Sequence, residues 1–96
     1  MSLSAIVLNR SDNVATAVRT LASGENIAVE TDKSVINVKL LQSIPFGYKF
    51  ALKNIGRGEE IIKYGETIGR AIATINKGEQ VHVHNVEGLR GRGDKS

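Results

Sequence analysis

Leu21-Ala22-Ser23-Gly24-Glu25-Asn26-Ile27 is met again downstream as Ile55-Gly56-Arg57-Gly58-Glu59-Glu60-Ile61 and as Ile75-Asn76-Lys77-Gly78-Glu79-Gln80-Val81. Ile44-Pro45-Phe46-Gly47-Tyr48-Lys49-Phe50 fits the same frame without the Glu. The frame is an apolar anchor, a turn that needs glycine, and an apolar residue that re-enters the core. The interval between copies is irregular, so this is one turn device reused rather than a solenoid.

Working outward from these turns, the chain divides into short apolar runs. Ala5 to Leu8 reads as a buried strand, and Asn26 to Glu30 as a second. Ile36, Val38 and Leu40 alternate with Asn37 and Lys39, and Tyr48, Phe50 and Leu52 alternate with Lys49, Ala51 and Lys53. That period of two is the mark of a half-buried strand. Ile61–Ile62, residues 68–75 and residues 81–85 complete the set. A single helix is predicted at about 13–22. Ser11-Asp12-Asn13 offers N-cap oxygens, Val14, Ala17, Val18 and Leu21 share one helical face, and Gly24 provides a stop. The expectation is a mostly β domain of short strands with one N-terminal helix, spanning 1–88. Glu87 onward is glycine-rich and charged, and 89–96 reads as a flexible C-terminal tail.

Composition narrows the function classes. The chain has 96 residues, 41% hydrophobic and 24% charged, the balance of one folded domain. It has no cysteine, so disulfides, thiolate metal sites and cysteine nucleophiles are excluded. So small a domain buries a modest share of its surface, which favours a partner subunit, another copy of the chain among the candidates. The formal charge of +3 suits an anionic small molecule and falls short of the dense basic stripe of a nucleic-acid binder. No apolar run approaches the roughly 20 residues of a membrane span, and the first residues lack the pattern of a secretory signal. A cytoplasmic location is expected.

Val81-His82-Val83-His84-Asn85 is the most informative stretch for chemistry. Read as a strand, it sends His82 and His84 to one face, roughly 6.5–7 Å apart, and Val81 and Val83 into the core. Two imidazoles can ligate a metal or exchange protons near neutral pH, and Asn85 adds an amide. A solvated or packed strand face accounts for the same pattern. Lys49, Lys53, Arg57, Lys63, Arg70 and Lys77 are cations that either gather around a carboxylate or sulfonate or form an ordinary solvated face. Gly56-Arg57-Gly58 lacks the third glycine and the strand–helix setting of a dinucleotide fingerprint.

Ile44-Pro45-Phe46-Gly47-Tyr48-Lys49-Phe50-Ala51, Lys63-Tyr64-Gly65-Glu66-Thr67-Ile68-Gly69 and Val81 to Asn85, in this order, resemble the small-subunit domain of the altronate/galactarate dehydratase family. The resemblance runs from about residue 9 to 94. It implies an SAF-type domain with a β-clip fold, acting with a large catalytic lyase subunit. The implied reaction eliminates water from a sugar acid such as altronate, or sulfite from sulfolactate. It also implies His82 and His84 as acid/base or metal-binding residues, with a divalent metal, iron among the candidates. Lys49, Asn85 and Tyr48 are then substrate-binding. Family members commonly carry His where Tyr48 stands, so a phenol replaces a third imidazole. A stand-alone module that binds an acidic sugar or a protein without catalysis is the alternative.

Overall fold

The computed structural model describes residues 4–7, 9–31 and 34–88. Among the described residues nine short strands run in chain order: β1 (Ala5–Ile6), β2 (Val14–Ala17), β3 (Asn26–Glu30), β4 (Val35–Lys39), β5 (Lys49–Ala51), β6 (Glu60–Lys63), β7 (Glu66–Ala71), β8 (Gln80–Val81) and β9 (Val86–Gly88). β1, β2, β5 and β8 form an antiparallel sheet in that order, β3 pairs with β4, and β7 lies between β6 and β9.

The four turn frames clasp one another in two pairs. Leu21 and Ile44 exchange both backbone hydrogen bonds, as do Ile55 and Ile75. All four anchors are fully buried. Around each bridge the turn glycines reach across: Gly24 donates to the Leu40 carbonyl and Gly47 to that of Ala17. In the second pair Gly58 donates to Ala71 and Gly78 to Ala51. The four glycines have φ of 87–90°, the left-handed region that a Cβ disfavours.

The Glu of the frame closes its turn. The carboxylates of Glu25, Glu59 and Glu79 accept from the amides of Ala22, Gly56 and Asn76, at 3.3, 2.7 and 2.9 Å. The fourth frame has Pro45 at the equivalent position. Proline carries no N–H, so there is nothing to cap. Position 48 is released from that duty and is occupied by Tyr48.

The central sheet separates two cores. Ala15, Ala17 and Phe50 face one, with Leu21, Val29, Val38 and Ile44. Val14, Ala51 and Val81 face the other, with Ile55, Ile61, Ala71 and Ile75. β2 and β5 are therefore covered on both sides.

That double burial corrects the predicted helix at 13–22. Residues 14–17 form β2, and no helix occurs among the described residues. A strand buried on both faces shows a nearly continuous apolar run, and Val14, Ala17, Val18 and Leu21 fell on a helical spacing within it. Asn13 is no N-cap. Its side chain stands in for a strand pairing: Nδ2 donates to the Glu60 carbonyl at 2.8 Å and Oδ1 accepts from the Ile62 amide at 2.8 Å. Glu87 and Gly88, the first residues of the glycine-rich charged stretch, belong to β9. Residues 89–96 lie outside the described residues. No helix of the described residues is long and apolar enough to cross a membrane.

Candidate functional site

The site grows from one face of the central sheet. In register, Val14 stands opposite Ala51, Thr16 opposite Lys49, and Lys49 opposite Val81. Val14, Ala51 and Val81 are buried in the second core. Thr16 and Lys49 continue the same face beyond the core's edge. There Lys49, with Ile68, His82, Val83, Val86 and Gly88, lines an open cavity of about 210 Å³.

Lys49 is the polar centre of this cavity. Burial holds its ammonium below the ordinary lysine range, and the nearby charge of Lys63 pushes in the same direction. The hydroxyl of Thr16 is buried and has no hydrogen-bond partner.

His82 follows the last residue of β8 and is half-buried. The Tyr48 ring packs against its imidazole, centroids 4.6 Å apart and planes inclined at 35°. Tyr48 also packs on the first core, so the ring that meets His82 is itself held by the fold.

The strand expected over 81–85 ends at Val81, and a tight turn follows. The Asn85 amide donates to the His82 carbonyl at 3.0 Å, and the Asn85 side chain closes the loop twice more. Its Oδ1 accepts from the His82 amide at 2.9 Å and its Nδ2 donates to the Gln80 carbonyl at 2.8 Å. Two expectations change with this turn. Val83 is 77% exposed rather than in the core. His82 and His84 do not share a strand face: His82 lines the cavity, and His84 is exposed and outside its lining. Asn85 is buried, and its amide is engaged with backbone within the turn.

The structure thus gathers Lys49, His82 and, behind His82, Tyr48. Sequence reasoning did not single out Ile68, Val86 or Gly88 as lining residues, nor Thr16. Lys63 appeared only as one cation among six. Among the described residues no three His, Cys, Asp or Glu side chains stand close enough to hold an ion. His82 and His84, divided by the turn, do not by themselves fit a three-ligand site.

The Altronate/galactarate dehydratase SAF domain model matches residues 3–89 of the chain. The chain belongs to this family. The SAF domain is 42% identical to an altronate dehydratase of Escherichia coli (strain K12) over 80 residues, which is 83% of this chain and 15% of that protein. It is 40% identical over 55 residues to the (2R)-sulfolactate sulfo-lyase subunit alpha of Chromohalobacter salexigens, covering 57% of this chain and 58% of that one. With the corresponding subunit of Paracoccus pantotrophus it shares 37% identity over 62 residues, 65% of this chain and 92% of the relative. The SAF domain therefore spans about 15% of the length of the altronate dehydratases it matches.

Proposed function

We propose that this SAF domain is the small subunit of a two-chain lyase that eliminates water from a sugar acid such as altronate, or sulfite from sulfolactate. The supporting observation is the half-formed site. Lys49 and His82 share a cavity of about 210 Å³. A complete small-molecule site usually measures roughly 300–1,000 Å³ and encloses its ligand. This one is open, and it seats one end of a substrate. The remainder is supplied by a large subunit docked over the cavity.

The chemistry fits the residues. In elimination β to a carboxylate, a base removes the α-proton, the C–H pair forms the new double bond, and the β-hydroxyl leaves with a proton as water. Imidazole is suited to either proton transfer near neutral pH. His82 takes that role, and Lys49 neutralises the carboxylate on which negative charge develops. Tyr48 fixes the plane of the His82 ring. A divalent metal in the assembled enzyme would draw ligands from the large subunit beside the imidazoles of this chain, and it would supply Lewis acidity toward the leaving group.

The test is reconstitution. The SAF domain and the large lyase chain encoded with it are expressed together, and elimination is followed on altronate and on sulfolactate. A stable complex is expected, with activity on one substrate that falls by about 100-fold or more in His82→Gln. Absence of a complex, with binding of an acidic sugar by the SAF domain alone, would instead support the stand-alone binding module.

A further inference from the structure

In each of the four turn frames the residue just before the glycine is exposed to solvent. It is Ser23, Arg57 and Lys77 in the three frames that keep the Glu. In the fourth it is Phe46, 68% exposed. The Tyr48 amide donates to the Pro45 carbonyl at 3.0 Å, so Phe46 is the first central residue of a tight turn. Such positions favour small or polar residues. An exposed phenylalanine there serves neither the turn nor the core. The same copy departs from the frame at Pro45 and at Tyr48 too, and the Tyr48 ring meets His82.

Val83 repeats the arrangement. The Asn85 amide donates to the His82 carbonyl, which makes Val83 the first central residue of a second tight turn. Val83 is 77% exposed, and it also lines the cavity. Phe46 and Val83 are the two most exposed large apolar side chains among the described residues. One stands two positions before Tyr48 and the other directly after His82, the residues whose rings touch. Single exposed apolar residues are common on any surface, but two on turn tips beside one open cavity have the pattern of a contact face. Backbone hydrogen bonds close both turns, so docking orders little that is not already fixed.

We infer that Phe46 and Val83 are the anchors on which the large lyase chain seats over the cavity. This rests on the lyase reading of the site and adds the surface that holds the two chains together. A body that closes the cavity must cover Val83, because Val83 is part of its wall. The occupant is a chain of a different kind rather than a second copy. The match spans 92% of a relative that is itself a subunit alpha, and 15% of an altronate dehydratase whose remaining length belongs to the same chain as the domain. A few aromatic and aliphatic anchors carry most of the binding energy of such contacts.

The experiment measures the affinity of the full chain for the large lyase chain by isothermal titration calorimetry. Circular dichroism checks folding, and sedimentation velocity reads self-association. Phe46→Ser is expected to weaken the complex by about 30-fold and Val83→Ser by about fivefold, with Tm unchanged because both side chains are exposed. Val35→Ser is the control. Val35 is 53% exposed at the start of β4 and outside the cavity lining, and this substitution should keep the affinity within about twofold. Unchanged affinity in the variant carrying both serines overturns the anchors and leaves the lyase reading standing. An equal loss in Val35→Ser overturns them as well, since any exposed apolar residue would then serve. A dimer of the parent chain that the double variant dissociates, with no effect on the large chain, gives the face to a second copy and overturns the proposed occupant. Failure of the parent chain to form any complex, with no elimination, overturns the anchors and the lyase reading together.

Discussion

Gly58 and Gly78 offer a paired substitution that isolates one physical effect. Both are turn glycines with φ of 90°. A Cβ at Gly58 would meet nothing within 4 Å, whereas one at Gly78 would run into the carbonyl oxygen of Lys39. Gly58→Ala therefore carries only the left-handed penalty of an L-residue, about 1–2 kcal/mol. Gly78→Ala carries that penalty and must also part β4 from the turn. The contact sits beside the hydrogen bonds from the Leu41 amide to Gly78 and from Gly78 to the Ala51 carbonyl. Loss of either adds about 1 kcal/mol, and a buried group left unpaired adds about 1–3 kcal/mol. The expected total for Gly78→Ala is about 3–6 kcal/mol, a large share of the ~5–15 kcal/mol that stabilises a typical domain. Urea unfolding followed by circular dichroism gives both values on one scale. Equal destabilisation by the two substitutions would refute the close approach. A neutral effect of Gly58→Ala would refute the turn conformation itself.

Other outcomes follow from groups already described. Asn85→Ala removes the acceptor of the His82 amide and the donor to the Gln80 carbonyl, so it should cost about 1–3 kcal/mol in the same unfolding assay. The His82 amide resonance should move with it; an unchanged resonance would count against the turn as the support of His82. Thr16→Val keeps the shape of the side chain and removes a buried hydroxyl that has no partner. It should stabilise the fold by about 1 kcal/mol, visible as a rise in Tm. Lys49 titrates lower in the folded than in the unfolded chain. The unfolded chain therefore holds more protons between the lowered value and 10.5, and stability should rise with pH through that window. Lys49→Met should abolish the rise and be more stable than the parent at neutral pH. A parallel pH profile in the mutant would show that the burial of Lys49 contributes nothing.

Much of the architecture was legible because the turn frame carries its own chemistry. An apolar anchor, a glycine and a following Glu recur, and each copy makes the same bonds. The β3 and β4 strands were readable from alternation, because only one of their faces is covered. Period failed where both faces are covered. In β2, Val14 faces one core while Ala15 and Ala17 face the other, and no sequence period distinguishes that from a helix. The site was legible in part. Lys49 and His82 were quoted on sequence grounds, but the turn at 82–85 was concealed by the alternation of Val81 and Val83 with two histidines. Asn85 decides the matter, since its side chain competes with strand pairing for the backbone groups of His82 and Gln80. Lys63 lay hidden among exposed cations, because the crossing of β6 over β2 depends on Asn13, itself read as a helix cap.

The two clasps are also consecutive in the chain. The first ties together residues between Ala17 and Tyr48, and the second residues between Ala51 and Glu79. Each has its own core and its own closing hydrogen bonds, the pattern of a cooperative unit that can open while the other stays shut. Tyr48 and Lys49 sit at the joint between these units, and His82 follows directly on the second. Local opening of either one would dismantle the contact between Tyr48 and His82 before the whole domain unfolds. A large subunit that covers the joint would lock both units at once, so that assembly and ordering of the site become a single event.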